Sequence, residues 1–205
     1  MVLFAIIIGS AITALVIKSL KNDVWNSATE LAQLGEKPRA NSVNEHTKQL
    51  EEINQLTDIT NVELVDTNLQ GDSREAIIDE LIEKLYKENI LTSKKDFKQA
   101  IIEREEESST GIGMNMAIPH GKSDAVKVPG IAFGIKKAGV DWYCVDDSLA
   151  KFIFMIALPE GAEDDAHLKI LQMLSRKMAD EDFRDMLLNA QTDNEAYKLL
   201  KDIRE

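Results

Sequence analysis

Of the three histidines in this 205-residue chain, His120 is placed where it could do chemistry. It lies in Met116-Ala117-Ile118-Pro119-His120-Gly121, where a short apolar segment delivers the ring into a turn bounded by proline and glycine. Upstream runs the polar stretch Arg104-Glu105-Glu106-Glu107-Ser108-Ser109-Thr110-Gly111-Ile112-Gly113, and charges near the ring favour an exposed or cleft-facing imidazole over a packed one. A neutral imidazole is a nucleophile near neutral pH and can then carry a transferred group. Taken by itself, this placement fits a nucleophile and a structural turn histidine about equally, because perturbed histidines serve both purposes.

The other candidates carry alternatives of their own. His167 lies near Leu168 and Leu171 on the apolar side of a helical pattern, a position that also suits a hydrogen-bonded core histidine. Arg104 stands beside three glutamates, where a solvated helix-end charge is the alternative account. His46, among Asn, Glu, Thr and Lys, reads as a surface residue without a role. A zinc site on His120 and His167 lacks a third ligand at a recognisable spacing, so no metal is expected. The single cysteine, Cys144, has no internal disulfide partner, which fits a reducing compartment. Its apolar, strand-like surroundings, Val140 to Val145, predict a small buried hydrophobe, because nothing nearby would lower its pKa. A formal charge of −12 argues against nucleic-acid binding, which draws most of its affinity from basic surface.

These residues need elements to hold them. Val62 to Leu64 alternate like a strand. After the break at Gly71-Asp72-Ser73, the 3.6-residue spacing of Ile77, Ile78, Leu81, Ile82 and Leu85 predicts an amphipathic helix over 73–89. Ser93 followed by Asp96 resembles a capping box for a helix over 94–107, with Phe97, Ala100 and Ile101 inward. Ile131 to Ile135 and Phe152 to Leu158 read as buried strands. Further helices are expected over 166–178, 182–189 and 193–203, the last announced by Thr192 and Glu195, and the acidic run Glu160 to Asp165 suits a helix N-terminus. Strands interspersed with helices predict an α/β fold, a single layered domain with a central mixed sheet flanked by helices, over residues 58–205.

The chain opens differently. Val2 to Ile17 is uncharged and almost wholly apolar, with Lys18 and Lys21 after it. A helix of about 17 residues reaches ~25 Å, marginal for a ~30 Å hydrocarbon core. The basic flank and cleavage site of a signal peptide are missing. A buried soluble helix is the alternative to the preferred reading: residues 1–20 as a membrane helix with its lysines on the cytoplasmic side, the last span of a permease whose earlier spans are missing. Residues 21–57 read as a polar linker, turn-rich around Gly35 to Ser42.

Arg104-Glu105, Ser109-Thr110-Gly111-Ile112-Gly113 and Ala117-Ile118-Pro119-His120-Gly121 together resemble the signature of the type-2 enzyme IIA domain, the fructose/mannitol branch of the bacterial phosphoenolpyruvate-dependent sugar phosphotransferase system. Val128-Pro129-Gly130, Gly139-Val140-Asp141-Trp142, Leu158-Pro159-Glu160 and Ala166-His167-Leu168-Lys169-Ile170-Leu171 extend the likeness over about 59–205, and Asp141-Trp142 with the His-Leu-x-x-Leu segment favours the fructose-type subgroup. The resemblance implies that His120 accepts phosphoryl from the phosphocarrier HPr and passes it to the cysteine of an enzyme IIB partner, with His167 and Arg104 in support. It implies coupling to an enzyme IIC permease. No cofactor is implied, because the donor is already an activated phosphohistidine. An arginine suits such a site, since its planar fork can bind the equatorial oxygens of a transferring phosphoryl group. Thr110, Gly111 and Gly113 are candidates to offer backbone N–H groups to the phosphate, although a tight turn explains the glycines as well. The chain departs from the family pattern at Asn115, where glycine is usual; asparagine tolerates left-handed backbone, so the turn is expected to survive. The alternative role is a nitrogen-control-type regulatory module whose phosphorylation state switches partner binding.

Overall fold

The computed structural model describes residues 53–162 and 164–205, the side chains of 164–166 excepted. The N-terminal apolar segment, His46 and the linker up to residue 52 lie outside the described residues.

The sheet is built around two long strands. β5 (Gly130–Val140) and β6 (Ala150–Pro159) pair antiparallel, with Ile131 opposite Ile156 and Phe133 opposite Phe154. β1 (Val65–Asp66) joins β5 in parallel. On the other edge of β6 lie β3 (Met116–Ala117) and then β4 (His120–Ser123), both parallel to it, and β2 (Gly111–Gly113) pairs with β3. The order is β1-β5-β6-β3-β2, with β4 continuing along β6 beyond β3. Pro119 is the reason that β3 and β4 are separate. It has no N–H to give the ladder, yet its carbonyl still accepts from the Ile156 N–H at 2.9 Å. His120 therefore begins a strand in register with Ile156.

β6 is apolar from Phe152 onward because both of its faces are covered there. Ile153, Met155 and Ala157 join the cluster formed by α1 (Arg74–Lys87) and α2 (Lys94–Glu107), whose Ile77, Leu81, Leu85, Phe97 and Ile101 are fully buried. The alternate residue Phe154 stacks on Phe133 with ring centroids 4.5 Å apart. α3 (Asp164–Met178), α4 (Glu181–Leu188) and α5 (Asp193–Leu200) complete the layers and bury Leu174, Phe183 and Leu200. The fold is thus the α/β arrangement expected, a mixed sheet flanked by helices. The helix starts follow their caps: Ser73, Ser93 and Thr192 each accept a first-turn N–H at 3.2–3.3 Å, from Ala76, Asp96 and Glu195.

Three expectations need correction. Val62–Leu64 is a 3₁₀ turn, not a strand, because Asn61 Oδ1 caps it by accepting from the N–H groups of Glu63 and Leu64 at 2.9 and 3.2 Å; the strand is the following pair, Val65–Asp66. The strand-like run at Cys144 ends at Val140. Beyond it Asp141 Oδ1 takes the Tyr143 N–H at 2.9 Å, and Tyr143 turns to a left-handed φ of 53°. The compact body also begins upstream of residue 58. Ile53 and Leu56 are buried, and the Leu56 N–H bonds the Ile203 carbonyl at 2.8 Å while the Glu205 N–H bonds the Asn54 carbonyl at 3.1 Å. This segment is too polar around its two apolar residues to announce a core position; the C-terminal strand-like bridge at Arg204 supplies the partner.

Candidate functional site

Gly121 determines how the first two site residues meet. A Cβ there would stand 3.3 Å from Ile101 Cδ1 and 3.4 Å from Ala100 Cβ, so its absence lets α2 lie close against β4. One helical turn beyond Ala100 and Ile101, Arg104 then stands over the first residue of β4, 16 residues away in sequence. Its Nε–H donates to His120 Nε2 at 3.0 Å, and its Nη1 donates to the carbonyl and hydroxyl oxygens of Ser108 at 3.2 and 3.3 Å.

The half-buried His120 ring is held from both sides. Nδ1 lies 2.8 Å from the Ile118 carbonyl, which can only accept, so Nδ1 carries the proton. Nε2 keeps its lone pair and receives the Arg104 N–H. Burial, the neighbouring His167, the Arg104 guanidinium and, more weakly, Lys122 push the imidazole well below its ordinary basicity, against a smaller opposing pull from the Ile118 carbonyl. The result is a ring that resists protonation, with its lone-pair nitrogen fixed in identity and direction. His167, buried on α3, brings its ring centroid to 4.5 Å from that of His120 at an interplanar angle of 48°. The structure therefore gathers His120, Arg104 and His167 in one place.

The N–H groups of Thr110 and Gly111 are taken up within the loop, not turned to a phosphate as expected. Thr110 is buried, and both its N–H and its hydroxyl are taken up by the Glu105 carboxylate. The Gly111 N–H bonds Ser109 Oγ at 3.1 Å, and a Cβ at Gly111 would strike the Trp142 carbonyl oxygen at 2.8 Å. Gly113, at φ +91°, enters a two-residue hairpin turn in which Met114 and Asn115 both adopt left-handed φ, 55° and 59°. Asn115 thus does what glycine does elsewhere. The tip is held by Asp146 Oδ2, which accepts the Met114 N–H at 2.8 Å, and by the Leu149 carbonyl, which accepts from Asn115 Nδ2 at 2.9 Å.

Two neighbours carry roles that the sequence reading did not give them. Lys122 follows His120 by two residues in β4, hence on the same strand face, and donates to the Ala162 carbonyl at 2.9 Å just before α3. Period-two spacing was the available signal. Glu105, which in the sequence stands in a charged run and beside Arg104 in the family signature with no role of its own, is buried beneath Trp142. Cys144 is buried as expected, and burial pushes its thiol up, away from reactivity. Among the described residues, no three His, Cys, Asp or Glu side chains gather as a metal site would require, and no helix is long and apolar enough to cross a membrane.

An attacking lone pair, a guanidinium beside it and a second imidazole within ring contact suit transfer of an anionic electrophile such as a phosphoryl group. Comparison with known proteins points the same way. Residues 58–203 match the family described as phosphoenolpyruvate-dependent sugar phosphotransferase system, EIIA 2. The chain is 33% identical over 154 residues to the fructose-specific EIIA component of Haloferax volcanii, covering 75% of this chain and 99% of that one. It is 39% identical over 139 residues to the fructose-specific EIIABC component of Bacillus subtilis, covering 68% of this chain but only 22% of the relative. Among solved structures, the nitrogen regulatory protein IIA-Ntr of Neisseria meningitidis aligns with a TM-score of 0.65 at 26% identity, covering 70% of this chain and 97% of that one.

Proposed function

The chain belongs to the EIIA 2 family of the phosphoenolpyruvate-dependent sugar phosphotransferase system, a family of phosphoryl-transfer proteins, and from that premise we propose that His120 is its phosphoryl carrier, charged by phospho-HPr and discharged to an enzyme IIB cysteine. The observation that carries this reading is the opposed pair of bonds on the ring, with Ile118 fixing the proton on Nδ1 and Arg104 facing the lone pair on Nε2. In the transfer, the bond from Nε2 to phosphorus forms as the donor's nitrogen–phosphorus bond breaks, and the proton on Nδ1 stays where it is. Arg104 must release Nε2 as the phosphoryl group arrives. Its guanidinium is then next to the equatorial oxygens, where negative charge spreads in the transition state. His167 is within reach to orient the ring or to donate to an oxygen. Lys122 adds positive charge on the same strand face.

Incubation with enzyme I, HPr and phosphoenolpyruvate is expected to place an acid-labile phosphoramidate on His120, located by mapping the phosphorylated residue. A stable label on His167 or His46 would overturn the assignment. The sugar-transport role is favoured over the regulatory one by the fructose-specific names of the two relatives. The regulatory reading has the likeness to the IIA-Ntr structure behind it. A gene neighbourhood encoding IIB and IIC partners decides for transport.

The division of labour we propose along the chain has residues 1–20 as a membrane anchor near an enzyme IIC permease and the phosphoryl-transfer domain on the cytoplasmic side. A tether raises the effective concentration of the domain at its partner without a new contact surface. Because Ile53 and Leu56 belong to the core, the domain is expected to stay folded and active only when a shortened chain starts before Ile53. Such a chain should be recovered without membranes and should accept phosphoryl from HPr. Recovery of the full-length chain in the soluble fraction would overturn the anchor.

A further inference from the structure

We propose that Glu105 is a positioning residue for phosphoryl transfer, the common anchor of the two groups that hold the His120 imidazole. The inference rests on the reading of His120 as the phosphoryl carrier. It concerns a side chain that touches neither ring nor phosphate.

The Glu105 side chain is only 3% exposed, a burial that carboxylates rarely reach unless paired. Each of its partners among the described residues is a donor. Oε1 accepts from Trp142 Nε1 at 3.1 Å and from the Thr110 hydroxyl; Oε2 accepts from the Thr110 N–H at 3.2 Å and faces Arg74 Nη1 at 3.7 Å. The Trp142 indole is itself fully buried, and its N–H is shared with Thr110 Oγ1 at 3.1 Å. A carboxylate bound this way has one place to be.

Two paths lead from it to His120. The first is covalent. Glu105 follows Arg104 in the last turn of α2, and neighbouring side chains on a helix point about 100° apart. With Glu105 locked inward, Arg104 is aimed along the surface at Nε2. The chain turns extended at Ser108, and the Glu105–Thr110 bonds close the loop from 105 to 110 around the Arg104–Ser108 contacts. The second path runs through the backbone. Glu105 holds the Thr110 N–H; the Thr110 carbonyl accepts the Ile118 N–H at 3.0 Å; the Ile118 carbonyl accepts His120 Nδ1–H at 2.8 Å. One carboxylate thereby fixes the donor on one ring nitrogen and the acceptor on the other.

The test compares the wild-type chain with Glu105→Gln. Glutamine keeps the shape but turns an NH₂ toward donors, so the loop from 105 to 110 must shift. Nitrogen-15 NMR of the imidazoles is expected to show the His120 pKa rising toward that of a free histidine and the single Nδ1–H tautomer giving way to a mixture. The direction is diagnostic. Loss of the Glu105 charge alone would push the imidazole lower, whereas loss of the Arg104 contact and entry of water raise it. In phosphoryl transfer, kcat is expected to fall on the order of 10²-fold, as misplacement by an ångström can cause, with KM for phospho-HPr changed by less than about twofold. A folded Glu105→Gln protein with an unchanged or lowered His120 pKa and unchanged kcat would overturn the proposal. If Glu105→Gln does not fold, Thr110→Val and Trp142→Phe decide. Each removes one donor from the carboxylate, and each should raise the His120 pKa by a smaller amount; no rise in either overturns the proposal. Failure of wild-type His120 to take label would sink the phosphoryl reading instead, and the titration of His120 would still report on the anchor.

Discussion

Replacing His120 by alanine is expected to abolish phosphoryl acceptance from HPr while leaving the fold intact. Among the described residues His167 is the only other histidine, and it is buried on α3. Losing the nucleophile removes the covalent step altogether, so the fall should reach the detection limit of a labelling assay, not a partial rate. Stability should change little, because the ring is half-buried and its removal leaves the backbone pairing of β4 with β6 untouched. The check is paired: phosphate incorporation from phosphoenolpyruvate, and a thermal melt or amide spectrum of the same preparation. A His120→Ala protein that labels stably, or one that loses phosphorylation only because it unfolds, would contradict the assignment.

Arg104→Lys is expected to lower kcat and kcat/KM together, on the order of 10²-fold, the range seen when one oriented donor is removed from a site of developing negative charge. Lysine keeps the charge but not the planar fork, and it cannot both hold Ser108 and meet the phosphoryl oxygens as the guanidinium can. Arg104→Gln goes further because the charge is also lost. The guanidinium is one of the causes that keep the imidazole below its ordinary basicity. Removing it should raise the His120 pKa, so that protonation competes with attack at a higher pH. In wild type, whose imidazole is held well below the ordinary histidine value of 6.5, acceptance is expected to hold nearly level as pH falls through that value. In Arg104→Gln the decline should set in at a higher pH than in wild type, while burial and His167, the larger causes, still hold the imidazole below its ordinary basicity. Initial rates of phosphoryl acceptance measured between about pH 8 and pH 5.5 distinguish the two profiles; identical profiles would remove Arg104 from the electrostatics of the site.

Much of this protein is written in local signals. Ser73, Ser93 and Thr192 cap their helices where sequence spacing says they should, because a side-chain oxygen satisfying a first-turn N–H needs nothing from the rest of the fold. The apolar runs at 131–135 and 152–158 are strands because both faces of the sheet are covered, and an uninterrupted apolar run is what that burial demands. The proline before His120 ends β3 and starts β4 by its own covalent structure, and Asn115 takes the left-handed turn that its side chain tolerates.

Other features arise only when distant segments meet. The contact between His120 and His167 depends on how α3 lies against the sheet, and nothing in either segment encodes that angle. Glu105 stands among glutamates and looks like one more solvated charge; it is buried because Trp142, arriving from beyond β5, brings an indole N–H that needs an acceptor. Ile53 and Leu56 sit in a polar stretch and become core because the C-terminal residues fold back and bond Asn54 and Leu56. Val62 to Leu64 alternates like a strand, yet Asn61 caps it into a 3₁₀ turn and passes the sheet pairing to the next two residues. Periodicity and caps are local energies and can be read along the chain. Burial of a charge, pairing across the sheet and the meeting of two rings are energies between segments, and they exist only once the tertiary structure has brought the partners within reach.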